Sequence, residues 1–137
     1  GWWSDELAKS IQGKSKKIKI VSCYSKNKKK RINFSKKYKT GYHDSYKAIL
    51  KDSKINAVIL TTPHSLHAKH AIQALQHGKH VFVKKPMATK YLDAKKMYLT
   101  AKKNKKILSV GHNRRYSSVS DFINNLNQNK KIGKILH

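Results

Sequence analysis

The chain has 137 residues, with 32 basic against 6 acidic side chains, a net charge of +26, and 38% hydrophobic residues. That length carries one domain with a core of its own and is too short for two ordinary ones. No apolar run approaches the ~18 residues that span a bilayer, and a single cysteine, Cys23, excludes an internal disulfide framework and a multi-cysteine zinc site.

Taken in chain order, short apolar runs alternate with helical patterns. Leu7, Ala8 and Ile11 share a face, which predicts a helix over residues 2–11. Residues 17–24 (KIKIVSCY) alternate and are rich in β-formers, as a strand does. Asp44 is placed to cap a short helix over 46–50. Residues 56–61 (NAVILT) form a continuous apolar run, the pattern of a strand buried on both faces. Ala68, Ala71, Ile72 and Leu75 fall at i, i+3, i+4 and i+7, an amphipathic helix, and Gly78 stands where a helix-ending glycine belongs. Residues 79–83 (KHVFV) and 106–110 (KILSV) read as two further strands. Ala94, Met97, Tyr98 and Ala101 mark the helix between them. A last helix runs over 118–127, with Phe122, Ile123 and Leu126 expected to face inward.

Strands alternating with helices of this length predict βαβ units, right-handed crossovers and a parallel sheet. Ligands of such sheets bind beyond the carboxyl ends of the strands. The segments to watch are therefore 25–28, 62–67, 84–86 and 111–116. Both ends look cut. A helix opens directly at Gly1 with no strand before it, and residues 131–136 (KIGKIL) start a strand-like run and stop. The chain is expected to be an internal piece of a longer protein, inactive and marginally stable in isolation.

The positive charge is mostly lysine. Only Arg31, Arg114 and Arg115 are arginines. Arginine is the usual choice for bidentate phosphate and guanine contacts. Lysines spread along the whole chain read as a solvated surface more than as a nucleic-acid footprint. His64, His67 and His70 have a spacing that invites a metal, but no cysteine or carboxylate lies close in sequence, so no metal site is expected.

Four segments then stand out in order: Gly1-Trp2-Trp3-Ser4, Thr62-Pro63-His64-Ser65-Leu66-His67, Gly78 through Pro86 (GKHVFVKKP), and Val110 through Tyr116 (VGHNRRY). Together they resemble the nucleotide-binding domain of the glucose–fructose oxidoreductase / inositol 2-dehydrogenase / MocA family. The resemblance implies an α/β fold, a Rossmann-like doubly wound parallel sheet. Here it would lack its first strand and the α/β domain that follows. Residues 1–130 would be an incomplete NAD(P)-binding domain, and 131–137 the start of a connection to a substrate domain.

The resemblance further implies hydride transfer between a nicotinamide and a hydroxyl or carbonyl carbon of a sugar, cyclitol or related compound. Gly1 and Ser4 would match small positions of the glycine fingerprint, where backbone amides at a helix start meet a pyrophosphate. Trp2 and Trp3 would cap the cofactor cleft. At the cofactor-choice position, Ser25 and Lys26 stand where a carboxylate would select NAD, so NADP is expected, with NAD as the alternative. Thr62, Pro63 and His67 would line the cofactor pocket, Asn113 and Arg114 would bind the cofactor, and His112, Asn113 and Arg114-Arg115 would lie near cofactor and substrate. Lys85 matches the lysine of the family's Glu-Lys-Pro motif and is the expected catalytic residue and a cofactor-binding one. Its ammonium can hydrogen-bond the substrate oxygen and stabilise alkoxide character. Lys84 departs from the family's glutamate. The remaining expectations are a cytoplasmic protein, a homo-oligomer at full length, and no membrane partner. The alternatives are a lysine-rich nucleic-acid-binding module and a dinucleotide-binding relative without catalysis.

Overall fold

The computed structural model describes residues 1–129, 131 and 133. Eleven helices and strands alternate: α1 (Trp2–Ile11), β1 (Ser22–Cys23), α2 (Lys28–Tyr38), β2 (Gly41–Tyr42), α3 (Tyr46–Lys51), β3 (Ala57–Leu60), α4 (His67–Gln76), β4 (His80–Lys84), α5 (Tyr91–Lys103), β5 (Leu108–Gly111) and α6 (Ser118–Gln128). All strand pairing is parallel. β1 pairs with β2, and β3, β4 and β5 form a second ladder in sequence order. In the second ladder Leu60, Val83 and Val110 stand in register, as do Val58, Val81 and Leu108. Among the described residues the two ladders share no hydrogen bond, so β1 and β3 each keep one unpaired edge.

The core lies on one face of the three-stranded ladder. Val58, Leu60, Val81 and Val83 pack against Ala71, Ala74 and Leu75 of α4 and Met97 and Ala101 of α5. Alanines on α4 let the helix come close to the strands, and Leu75 and Met97 then fill the interior completely. Burying each such side chain contributes about 2 kcal/mol. Ile49, Leu50 and Ile55 extend the same core, and Tyr24, just past β1, packs against it.

Three contacts join the parts. Lys79 is buried, and its ammonium donates to the carbonyls of Asp52 and Ile55, both at 2.7 Å. This fastens the end of α3 to the turn before β4. Ser22 Oγ lies 2.7 Å from His43 Nδ1, and His43 Nε2 lies 3.3 Å from the Asp52 carboxylate, tying β1 and the exit of β2 to the end of α3. Gly78 sits at φ 73°, and the next amide, Lys79 N–H, donates back to Ala74 O, which turns the chain from α4 into β4.

Several expectations are corrected. The strand expected over 17–24 shrinks to Ser22–Cys23, because Ile20 bonds the Gln12 side chain through both its N–H and its carbonyl instead of a neighbouring strand. The cap of α3 is Ser45, whose hydroxyl accepts from Ala48 N–H at 3.0 Å; Asp44 is held by Arg31 instead. β3 is not buried on both faces. Ala57 and Ile59 are exposed while Val58 and Leu60 are buried, since α4 and α5 cover one face only. Phe122 and Ile123 do not face inward. Their stripe on α6, with Val119, stays 45–64% exposed, and only Leu126 is half-buried. Most of segment 131–137, expected to begin a connection, lies outside the described residues.

Candidate functional site

Parallel pairing puts the carboxyl ends of β3, β4 and β5 on one rim, and the segments singled out in the sequence leave from it. Thr62 follows β3. Its Oγ1 is buried and has no hydrogen-bond partner. Pro63 is exposed and leads into a short 3-10 turn, His64–Leu66.

His67, expected to line the pocket, is fully buried at the start of α4. Its Nε2 lies 3.0 Å from Thr62 O and its Nδ1 2.8 Å from Pro86 O. Both partners are carbonyl oxygens, so in each bond formed the ring is the donor. His67 therefore clasps the exits of β3 and β4 together and reaches the site only through them. The ring itself is not exposed on the rim where it was expected to line the pocket.

Lys85 is exposed just past the end of β4, and Lys84 before it is half-buried in register with Gly111. Gly111 is required there: a Cβ would stand 2.7 Å from Phe82 Cζ. Past β5 the chain turns through Asn113–Tyr116, with Arg115 N–H donating to His112 O at 3.0 Å. Lys85, His112, Asn113 and Arg115 line one cavity of about 400 Å³. Of the residues singled out as site residues, Lys85 and Asn113 line this cavity. His112 and Arg115 join them, and the sequence signal for both was their place directly after a strand. The side chain of Arg114 lies outside the described residues.

The β1 exit forms a second cluster. Ser25 Oγ accepts from Asn27 N–H, and Asn27 Oδ1 accepts from Lys30 N–H and so caps α2. Arg31, in the first turn of α2, is 9% exposed. It donates to Ser25 O and Asp44 O, both at 3.4 Å, and pairs with the Asp44 carboxylate. Its Nε is buried without a partner. Sequence reading missed Arg31 as the residue that holds the Ser25 turn, because a lone arginine in a basic run gives no sign of burial. Lys26 is exposed beside that turn. Its charge is felt by His70 of α4, whose pKa is held below the usual 6.5 by burial first and then by Lys69 and Lys26. The His70 ring stacks on Tyr46 at 4.7 Å, and Tyr46 donates its hydroxyl to His70 O at 2.8 Å. Burial pushes the Tyr46 hydroxyl well above its ordinary pKa.

Gly1 caps α1, whose first-turn amides leave an unsatisfied helix start; Ser4 Oγ donates to Gly1 O at 2.6 Å. Trp2 is 68% exposed and meets Trp3 edge to face at 4.8 Å. A larger concavity of about 660 Å³ lies elsewhere, at the carboxyl ends of α1 and α2, lined by Lys16, Lys17, Lys19, Lys37 and Lys39. Those lysines answer the partial negative charge of two helix ends, and none of the segments above reaches them.

Residues 1–112 match the family described as "Oxidoreductase family, NAD-binding Rossmann fold". The chain belongs to this oxidoreductase family. Among curated relatives, it is 33% identical over 119 residues to 4-carboxy-2-hydroxymuconate-6-semialdehyde dehydrogenase from a Sphingobium species, covering 85% of this chain and 36% of the relative. It is 31% identical over 121 residues to glucose-6-phosphate 3-dehydrogenase of Bacillus subtilis, covering 88% of this chain and 34% of the relative. The solved structure of biliverdin reductase from Synechocystis, in complex with biliverdin and NADP+, superposes with a TM-score of 0.86 at 28% identity. That match covers 99% of this chain and 42% of the other. The chain spans a little over a third of the length of these curated relatives. No helix among the described residues is long and apolar enough to cross a membrane.

The residues present fit a dinucleotide. Thr62 offers a buried, unpartnered hydroxyl on the rim, α1 offers free amides at its start, and the β1 exit offers a hydroxyl and a cation.

Proposed function

We propose that the chain is the coenzyme-binding part of an NADP-dependent oxidoreductase acting on a hydroxyl or carbonyl carbon of a sugar, cyclitol or related compound. The observation that carries this reading is the placement of Lys85. It leaves β4 into a cavity shared with His112, Asn113 and Arg115, one strand away from the unpartnered hydroxyl of Thr62. A nicotinamide coenzyme, held by the residues below, would supply the hydride acceptor or donor for the substrate carbon. Lys85 would hydrogen-bond the reacting oxygen and stabilise its alkoxide character, the hydroxyl proton passing to solvent as the carbon is oxidised and being taken from solvent on reduction. Gly1, Trp2, Trp3 and Ser4 would hold the pyrophosphate at the start of α1. Ser25 and Lys26 would hold the ribose 2′-phosphate, with the nearby Asp44 carboxylate tied up by Arg31. NAD remains the alternative coenzyme if that phosphate contributes nothing. His67 keeps Thr62 and Pro86 in place.

Fluorescence titration tests the coenzyme. NADPH is expected to bind more tightly than NADH, and Lys26→Glu to reverse the order. In a polyol oxidation assay of a longer chain that carries the preceding strand and the following domain, Lys85→Ala is expected to lose about 100-fold in rate. Absence of any dinucleotide binding sinks the reading, and full turnover by Lys85→Ala sinks the role of Lys85. A second reading, dinucleotide binding without turnover, is favoured by Lys84, which puts a cation where the family carries a carboxylate. NADPH binding with no turnover on any polyol selects it.

A further inference from the structure

A carboxylate stands beside the Ser25–Lys26 turn. Asp44 lies just past β2, and its side chain is 82% exposed. Left to itself, an exposed carboxylate there would repel a ribose 2′-phosphate and accept from a ribose 2′-hydroxyl, the chemistry that favours NAD. Arg31 stands behind it. The Arg31 side chain is only 10% exposed, and its guanidinium donates to Ser25 O and Asp44 O, both at 3.4 Å, while pairing with the Asp44 carboxylate. One planar group thus spans the backbone of the turn before Lys26 and the acid next to it. The same group lies over the Tyr42 ring, 5.8 Å from its centroid, which adds a contact on the guanidinium face.

As a stabilising device this pair is poor. Taking a guanidinium out of water is costly, and attraction to a carboxylate that stays in water offsets little of that. Nε is buried without a partner in the bargain. Only three of the 32 basic residues are arginines, and this one alone is buried among the described residues. A lysine would carry the charge but could not bridge two carbonyls and a carboxylate with one fork. We infer that Arg31 sets the NADP preference of this chain by cancelling the charge of Asp44 beside the turn that holds the 2′-phosphate. It is a positioning residue, acting through Asp44 and the Ser25 backbone. The inference rests on the coenzyme reading for its ligand. It deepens that reading by moving selectivity from the exposed Lys26 to a buried arginine and the acid it neutralises.

Fluorescence titration of NADPH and NADH provides the test, on a longer chain that carries the preceding strand and the following domain. Arg31→Met leaves behind a carboxylate that water already solvates, so the fold is not asked to bury a lone charge. NADPH is expected to bind at least about tenfold more weakly to it, and NADH to stay within about twofold of wild type. Adding Asp44→Asn restores the original net charge and should bring NADPH back to within about threefold of wild type. Asp44→Asn alone should tighten NADPH and leave NADH where it was. Equal loss of both coenzymes in Arg31→Met overturns the inference, because an arginine that only held the fold would do that. So does a loss of NADPH that Asp44→Asn fails to recover. Should Arg31→Met not fold, Asp44→Asn alone decides: a raised NADPH-to-NADH preference supports the inference, and an unchanged one overturns it. Wild type that binds neither coenzyme, or favours NADH, sinks the coenzyme reading itself, and the inference falls with it.

Discussion

His67 is fully buried, with its two ring nitrogens against the carbonyls of two strand exits, Thr62 O and Pro86 O. Removing the ring takes away the N–H donated to one of the two carbonyls and leaves a void beside β4, so His67→Ala is expected to destabilise the chain by about 3 kcal/mol. Chemical denaturation measures that loss. Hydrogen exchange should show Lys85 and Thr62 amides speeding up more than those of α1. A loss under about 1 kcal/mol would mean that the clasp does not bear on the fold. On the opposite side of the chain, Asp5 is held by Lys37 at 2.8 Å and by the Tyr38 hydroxyl at 2.6 Å. The Lys37 hydrogen bond first and the Tyr38 bond second lower its pKa from 3.8 to about 2. A carboxylate with a depressed folded pKa stabilises fully above its unfolded value and loses that contribution as pH falls through the folded one. Wild type should therefore lose stability between 3.8 and about 2 in a way that Asp5→Asn does not. Denaturation midpoints of the two chains across that window check it, and parallel curves would refute it.

At the scale of elements, β4 and β5 meet at a close contact between Gly111 and Phe82. Gly111→Ala would force a Cβ to 2.7 Å from the Phe82 ring. Overpacking of this kind costs about 1–3 kcal/mol. Pairing the change with Phe82→Leu should recover most of it, as a double-mutant cycle on melting temperature would show. No recovery would mean the strain lies in the backbone.

The same elements show what can be read from sequence. β3, β4, β5 and α4 were legible because apolar positions outnumber lysines in them, and their period is clear. α2 was not singled out: four of its eleven residues are lysine or arginine in its first turn, and only Ile32, Phe34 and Tyr38 mark an apolar side. β2 is two residues long, Gly41–Tyr42, too short for any periodicity. The stripe of α6 was read correctly as apolar, but a pattern cannot state whether a partner lies against it. At the site, Lys85 and Asn113 were legible from their strand-exit positions. The burial of His67 was not, since its two carbonyl partners lie 5 and 19 residues away and leave no trace in composition.

Over the whole molecule, exposed lysines occur on α1, α2, α3, α4 and α5 alike, so the charge is distributed and not gathered in one groove. Lys79 is the exception. With its ammonium tied to Asp52 O and Ile55 O it is shielded at 7% exposure, where α3, α4 and β4 meet. An amine-acylating reagent read out by peptide mass spectrometry should therefore tag Lys95 early and Lys79 last. The lag would report how often that junction opens. Equal tagging rates at Lys79 and Lys95 would show the junction to be loose. In a chain so crowded with reactive amines, the slowest one becomes a built-in clock for unfolding.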